Sequence, residues 1–431
     1  MTDDYTWPAD PQVRARLERW QDQKFGAIIH WGPYSRLGAC ESWTLCQEQD
    51  PWCAAPEPWA GDPEGYREMY EQLPAGFTAP GLDPEDWARA CRDAGMRYVV
   101  FTTKHHDGFA MYNTKLSSYK STGPDCALQR DVTREVFDAF RGQGLGAGVY
   151  FSKADWHHPD YWSPDRLAPQ RFADYDTAAE PDRWQRFKEF THGQIEELLS
   201  DYGPIDLLWL DAGWVRAPRE DLDMPALAAR ARELQPGILV VDREVHGPQE
   251  DYRTPEQQVP DQVQPYPWES CLTLGPAWYT LGPDDTFKSV GEVVHLLLRI
   301  VARGGNLLLG FGPDHTGALP RAVHDRLAGI GAWLDVNGAA VYGSRPVAPY
   351  ESGRCLFTRV GSTVNAVLLL EPDEPLPAQA DIPWDGPAPD AVSLLGHPGD
   401  LPFTHADGLL SVRLPDGHKA EHALVLAART G

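Results

Sequence analysis

The run Ile205-Asp206-Leu207-Leu208-Trp209-Leu210 is apolar on both faces, and it delivers a carboxylate, Asp211, straight into the turn Ala-Gly-Trp. A strand that is hydrophobic on both faces needs cover on both sides, which is the condition of an interior strand in a parallel sheet. In strand–helix enzymes the carboxyl ends of such strands face the reaction centre, so Asp211 is a candidate catalytic group. Asp also caps loops and helices after strands, and position alone gives that reading equal weight.

The same pattern recurs along the chain. Apolar runs at 25–31, 98–103, 146–151, 205–210, 238–242 and 305–311 alternate with helical patterns at 84–93, 133–141, 183–200, 225–234, 290–302 and 321–336. This alternation specifies βα units around a parallel sheet. In the last helix Val323, Leu327, Ile330 and Leu334 share a face, and Asn337-Gly338 reads as its stop. No G-x-G-x-x-G follows the first run, which favours a (β/α)8-like barrel over an open doubly wound sheet. Beyond Tyr342 helical periodicity gives way to Pro and to short β-like runs at 355–360, 364–370, 391–395, 409–412 and 423–427, the signature of a small antiparallel β-sandwich. The 431 residues thus divide into a catalytic α/β barrel, residues 1–343, and a C-terminal β-sandwich, residues 344–431. Residues 372–390, rich in Pro, Asp and Ala, read as loops.

Composition narrows the partners. With 38 Lys+Arg against 63 Asp+Glu, the net charge of −25 repels nucleic-acid phosphates and anionic membranes and favours a neutral substrate. No stretch approaches the length of a membrane span, and the opening MTDDYTWPADPQ lacks the basic and apolar regions of a signal peptide, so the expected location is cytoplasmic. Seven cysteines without C-x-x-C spacing argue against a disulfide scaffold and a zinc ribbon. The 16 Trp, 16 Tyr and 14 Phe are a heavy aromatic load of the kind that stacks on sugar faces, although most aromatics fill cores. The sequence carries no signal for oligomeric state.

Polar residues stand where a barrel places its active site. His30 ends the first run, His105 and His106 follow the second in TTKHHDGF, Tyr150 closes the third, Asp211 the fourth, and Arg243 follows the fifth. Any one of these is commonly a satisfied packing residue; four successive strand ends supplying them together point to a site. Two chemistries could use the set. His30, His105, His106 and Asp211 are ligand types for zinc or manganese, but the first strand supplies a lone His, and adjacent histidines on an extended chain point opposite ways; no metal or other cofactor is expected. The other chemistry is recognition of a polyhydroxylated ligand, with His, Tyr and Arg bonding hydroxyls and Trp31, Trp43 and Trp209 offering apolar faces. Glycoside cleavage needs a second carboxylate, roughly 5–5.5 Å from the first in a retaining mechanism. Glu256 in DYRTPEQQVP is the candidate, carried on a mobile Pro-bracketed loop; Glu41 and Glu269 come next, and Glu244 reads as an ion-pair partner of Arg243. Trp268 and Trp278 suit an aglycone platform and suit packing equally.

Several stretches, FGAIIHWGPYS at 25–35, YVVFTTKHHDGF at 98–109, GVYFS at 148–152, DLLWLDAGW at 206–214 and RGGNLLLGFGP at 303–313, resemble in sequence and order the α-L-fucosidases of glycoside hydrolase family 29. The resemblance implies a (β/α)8-like catalytic domain, a C-terminal β-sandwich, no metal and a retaining double displacement. It puts the nucleophile on Asp211 and fucose-binding groups on His30, His105, His106, Tyr150, Trp209 and Arg243. The TPEQ run resembles that of a subgroup associated with α-1,3/1,4-linked fucose and points to Glu256 as acid/base. Glu41 and Trp43 in ESW resemble a sugar-contacting pair. Phe151 stands where many members have a second Tyr, and residues 157–181 carry no reading from the family. The function implied is a retaining exo-α-L-fucosidase acting on fucosylated oligosaccharides or glycoconjugates. A metal-dependent hydrolase using the His cluster and a catalytically silent sugar-binding protein are the competing classes.

Overall fold

The computed structural model describes residues 5–46, 53–164 and 170–430. Seven parallel strands, β1 (Phe25–Ile29), β2 (Tyr98–Lys104), β3 (Gly146–Ser152), β4 (Leu207–Asp211), β5 (Leu239–Asp242), β6 (Glu269–Thr273) and β7 (Asn306–Phe311), form one curled sheet in the order β5-β4-β3-β2-β1-β7-β6. The six expected strands are all present, and β6 is the one the sequence did not yield: ESCLT is short and half polar, although every residue in it is buried. Among the described residues the sheet is one strand short of the eightfold barrel. Between its edges, β5 and β6, runs an irregular extended segment. The Asp251 N–H donates to the Val240 carbonyl of β5 at 2.9 Å, and the segment then ladders onto β6, with Glu269 N–H donating to Arg253 O and Gln257 N–H to Cys271 O, both at 2.9 Å.

Alternate residues point inward, as strand geometry requires. Ile28, Tyr98, Val100, Tyr150, Leu207, Trp209, Leu239, Val241, Cys271 and Leu308 form the barrel interior. Gly26 is needed in β1 because a Cβ there would overlap the Tyr98 ring. The floor is plugged by α1 (Pro11–Gln23), which the sequence reading passed over; Asp10 caps it, and Val13, Leu17 and Trp20 lie on its buried face. A second unexpected helix, α2 (Pro63–Glu71), packs Tyr66 and Tyr70 against the loop after β1.

The outer layer follows the expected helices: α3 (Pro84–Asp93), α4 (Val132–Gly142), α5 (Pro181–Asp201), α6 (Met224–Leu234), α7 (Val290–Ala302) and α8 (Arg321–Asn337). α7 carries a full capping box, Ser289 with Glu292, which satisfies two of its free N-terminal N–H groups. α8 buries the expected Val323, Leu327, Ile330 and Leu334, but Gly338 does not stop it in a left-handed turn; its φ is −59° and the chain tightens into a 3-10 turn.

From Arg345 onward the chain is antiparallel: β8 (Arg345–Ser352), β9 (Cys355–Val360), β10 (Thr363–Leu369), β11 (Gln379–Pro383), β12 (Ala391–Leu394), β13 (Phe403–Ala406), β14 (Leu409–Arg413) and β15 (Ala423–Arg429). Five of these order as β12-β15-β10-β9-β8 and three as β11-β14-β13, with Phe357, Ile382, Trp384, Val392, Leu410 and Leu426 among the residues packed between. β11 overturns the expectation of loop across 372–390: Ala380 and Ile382 alternate inward against exposed Gln379 and Asp381, a period hidden by the surrounding Pro and Asp. The barrel's apolar core continues from Val293 and Leu297 of α7 into Val367, Leu369 and Val425 of β10 and β15. Glu351 accepts from both Arg299 and Arg303 at 2.6 Å across the same seam. Among the described residues no helix is long and apolar enough to cross a membrane.

One disulfide, Cys40–Cys53, staples the loop after β1, while Cys91, Cys126, Cys271 and Cys355 are free and buried, and Cys46 is buried. A separation of 13 residues matches no motif spacing, which is why the cysteine pattern gave no hint of it. Alkylation of the unfolded, unreduced protein is expected to spare Cys40 and Cys53, and to modify all seven cysteines after reduction. Seven before reduction would mean the pair is held as thiols, the state a cytoplasmic location imposes.

Candidate active site

The inward-facing polar residues collect where the strands end, as the barrel geometry dictates. They line a cavity of about 150 Å³ with His30, Trp43, His105, Tyr150, Arg171, Trp209, Asp211, Gly213, Trp214, Arg243, Glu244, Glu256 and Trp278 on its walls. Two larger grooves, about 570 and 410 Å³, lie along the seam between α7, α8 and the C-terminal strands, away from the carboxyl ends of the parallel strands. The smaller cavity is the one that gathers convergent polar groups.

Asp211 lies at its centre. The Tyr150 hydroxyl donates to Oδ2 at 2.5 Å, and Arg243 Nη1 donates to Oδ1 at 2.8 Å. Burial alone would raise the carboxyl's pKa, but the adjacent guanidinium and the Tyr150 hydrogen bond overcome it and hold the group well below the usual carboxylate range. The other terminal nitrogen of Arg243, Nη2, bonds Glu256 Oε2. One guanidinium fork therefore joins the two carboxyl groups across the cavity. Glu256 is not on a free loop: it stands in the segment laddered onto β6, with its side chain 35% exposed at the mouth. Arg243 is itself buried and rests over the Trp209 ring, its Cζ 4.9 Å from the centroid.

The three histidines are neutral donors and acceptors. Burial drives His30 and His106 well below the ordinary imidazole value and His105 down to about 4. His105 Nδ1 pairs with Ser42 Oγ at 2.5 Å, and His106 Nδ1 with Ser152 Oγ at 2.7 Å. His106 Nε2 stands 3.8 Å from Asp211 Oδ2, and His30 Nδ1 has no partner among the described residues. The expectation that His105 and His106 diverge fails because β2 ends at Lys104; past it the chain turns, and the two rings lie 4.2 Å apart, His105 lining the cavity and His106 buried beside Asp211. Among the described residues no group of three or more His, Cys, Asp or Glu is placed to hold a metal ion. The cation that Asp211 meets is Arg243.

The remaining candidates separate. Trp43 packs edge-on to His106 at 5.0 Å, and Trp278 faces His30 at 5.1 Å, so both line the cavity. Gly310 makes room for Trp278, since a Cβ at that position in β7 would overlap its indole. Glu41 is buried behind the wall, where its Oε1 accepts the Trp278 N–H at 3.1 Å, and burial pushes its pKa up to about 8. Trp31 does not reach the cavity; it packs on Phe77 and Trp87 outside the sheet. Trp268 is buried below, its ring against Gly305 at the start of β7, which removes it as an aglycone platform. Glu269 is at the barrel floor beside Tyr98, too deep to serve as the acid/base. Glu244 is 68% exposed and 3.9 Å from Arg243, a rim residue more than an ion-pair partner.

Two wall residues had no signal in the sequence. Arg171, from the stretch 157–181, lies over the rings of both Trp43 and Trp214, at 5.1 and 5.3 Å. Trp214 follows Asp211 by three residues, and its Nε1 donates to the Arg171 carbonyl at 3.0 Å. Their place on the cavity depends on long-range packing that no local pattern reports.

Comparison with known proteins agrees with this geometry. The solved alpha-L-fucosidase isoenzyme 1 of Paenibacillus thiaminolyticus superposes with a TM-score of 0.81 at 29% identity, over 97% of this chain and 99% of that one. The alpha-fucosidase of Thermotoga maritima, solved in complex with a mechanism based inhibitor, gives 0.78 at 26% identity over 98% and 100%. Human tissue alpha-L-fucosidase is 28% identical over 439 aligned residues, covering 95% of this chain and 87% of that protein. Residues 1–339, the curled sheet and its helices through α8, match the alpha-L-fucosidase family, and the chain belongs to it.

Proposed function

We propose that the protein is a retaining exo-α-L-fucosidase that removes terminal fucose from oligosaccharides or glycoconjugates, with Asp211 as nucleophile and Glu256 as acid/base. The observation that carries this reading is the Arg243 fork: a carboxylate kept ionised at a strand end, and a second, more exposed one beside it at the cavity mouth. A family relative solved with a mechanism based inhibitor supports the same chemistry. The cavity of about 150 Å³, small beside the 300–1,000 Å³ of sites for larger ligands, suits one terminal ring and hence exo action.

Asp211, already ionised, attacks the anomeric carbon through one carboxylate oxygen, while Arg243 on Oδ1 and Tyr150 on Oδ2 hold the plane of the carboxylate. Glu256 turns from Arg243 to the glycosidic oxygen and gives it a proton as the aglycone departs. The ester that results removes the charge of Asp211. Glu256, now a carboxylate, takes a proton from the water that opens the ester, and the configuration at the anomeric carbon is retained. His30, His105 and His106, neutral and convergent, supply hydrogen bonds to ring hydroxyls without competing with Arg243 for the carboxylates. Trp214, with Arg171 above it, would carry the leaving sugar.

Asp211→Ala is expected to lower kcat for an aryl fucoside by about 10⁴-fold or more, since no other group can form the ester. Glu256→Ala should lose roughly 10²- to 10⁴-fold on poor leaving groups and recover with azide, giving the fucosyl azide of retained configuration. Near wild-type turnover by Asp211→Ala removes the nucleophile assignment; absence of azide rescue in Glu256→Ala removes the acid/base assignment. Arg243→Gln takes away the cation that depresses Asp211, so the acid limb of kcat/KM should move to higher pH; a limb that stays in place while activity falls would limit Arg243 to sugar contact. Trp214→Ala should raise KM roughly three- to tenfold for a fucosylated oligosaccharide and leave fucosyl fluoride unaffected, because only the former has a sugar to stack.

A further inference from the structure

A buried acid at the barrel floor has no part in the chemistry described so far. Glu269 opens β6 and points inward, fully buried. Its Oε2 accepts the Tyr98 hydroxyl at 2.5 Å; its Oε1 accepts Trp209 Nε1 at 3.3 Å and the Tyr252 hydroxyl at 3.4 Å. No Lys or Arg bonds to it among the described residues, and below it Trp20 of α1 stacks on Tyr252 at 3.9 Å and seals the floor. Burial accordingly pushes its pKa up to about 7, against the pull of these donors. An acid sunk among aromatic rings with no cation is costly, and a hydrophobic residue would fill the space at lower cost.

What the acid holds is the one polar atom of Trp209. That indole is the shared underside of the groups gripping Asp211. Tyr150 stacks on it with centroids 5.5 Å apart at 25°, and the Arg243 guanidinium lies over it at 4.9 Å. Both then reach Asp211, at 2.5 and 2.8 Å. An indole free to tilt about its side-chain torsions would carry both donors with it, and a misplacement of about 1 Å at a reacting group can cost on the order of 10²-fold in rate.

We propose that Glu269 is a positioning residue: by fixing the Trp209 ring through Nε1 it sets the plane on which Tyr150 and Arg243 present their donors to Asp211. The proposal rests on the assignment of Asp211 as nucleophile. It acts through hydrogen-bond acceptance and so distinguishes substitutions of similar size. Glu269→Gln keeps an acceptor for Nε1, and Glu269→Leu keeps only the bulk.

The test is the pH profile of kcat/KM, with kcat and KM resolved, on an aryl fucoside. Glu269→Leu should lower kcat by about 10- to 100-fold with little change in KM, and its acid limb should move to higher pH as Arg243 loosens from Asp211. Glu269→Gln should recover most of the loss and return the limb toward its wild-type position. Trp209→Phe, which keeps a ring and removes Nε1, should show the same limb shift, and adding Glu269→Leu to it should change nothing further. Tyr98→Phe leaves the Trp209 bond intact and should keep the wild-type limb. A wild-type limb in Trp209→Phe, or an additive loss in the double variant, overturns the proposal; Trp209→Phe decides it even if Glu269→Leu fails to fold. Failure of the functional reading would look different, as turnover surviving in Asp211→Ala.

Discussion

The fork of Arg243 is the interaction on which the site depends. A buried guanidinium that reaches both carboxyl groups offsets the desolvation of the ionised Asp211 and gives Glu256 a hydrogen-bonded resting place; taking away the cation would leave two acids facing one another in a low-dielectric cavity. It also explains the asymmetry of the pair. Asp211 takes its hydrogen bond from Arg243 in the buried wall and a second from Tyr150, whereas Glu256 meets the other end of the fork at the open mouth. One acid is held, and the other has room to move to a leaving group. Arg243 can do this because β5 ends one residue before it and the Trp209 ring supports its flat face.

The histidines matter for what they are not. A charged imidazole beside Asp211 would add a second cation and compete for the same oxygens. Burial prevents it: each ring is enclosed by Tyr150, Trp43, Trp278 or another imidazole, and serine hydroxyls occupy Nδ1 of His105 and His106. The wall is thus aromatic and neutral with hydrogen-bonding edges, suited to a neutral polyhydroxylated ring. A chain of net charge −25 concentrates little of that charge here beyond the two acids it uses and the Glu244 rim.

Most of this was legible because strand ends are local. His30, Tyr150, Asp211 and Arg243 announce themselves as polar residues closing apolar runs, and the barrel rule converts that position into a shared cavity. Three kinds of residue escaped. Arg171 enters through tertiary packing of a long connection with no periodicity, and Trp214, just past β4, gains its place on the wall from contact with it. β6 and β11 were hidden by composition, since their polar residues are paired inside or alternate outward. Trp31 and Trp268 illustrate the reverse error: an aromatic beside a motif is still most often core. The disulfide and the helix at the floor belong to the same class, because a pairing across 13 residues and a short amphipathic stretch before the first strand leave weak marks in a sequence.

The missing eighth strand is where fold and chemistry meet. A regular strand between β5 and β6 would alternate inward and outward in register and offer one fixed inward position at its end. The segment 251–257 instead bridges the β6 edge intermittently, Arg253 opposite Trp268 and Glu256 opposite Cys271, and meets β5 through the Asp251 N–H. It carries Tyr252 down to the floor and Glu256 up to the mouth. Its partner β6 does the same with Glu269 below and Thr273 above. Floor and mouth are therefore registered through one irregular ladder, so the depth at which Glu269 meets Trp209 and the height at which Glu256 meets Arg243 are set by the same backbone hydrogen bonds. A regular strand would fix one inward side chain at its end, whereas this segment leaves Glu256 half-exposed at the mouth, the position the proposed acid/base role calls for.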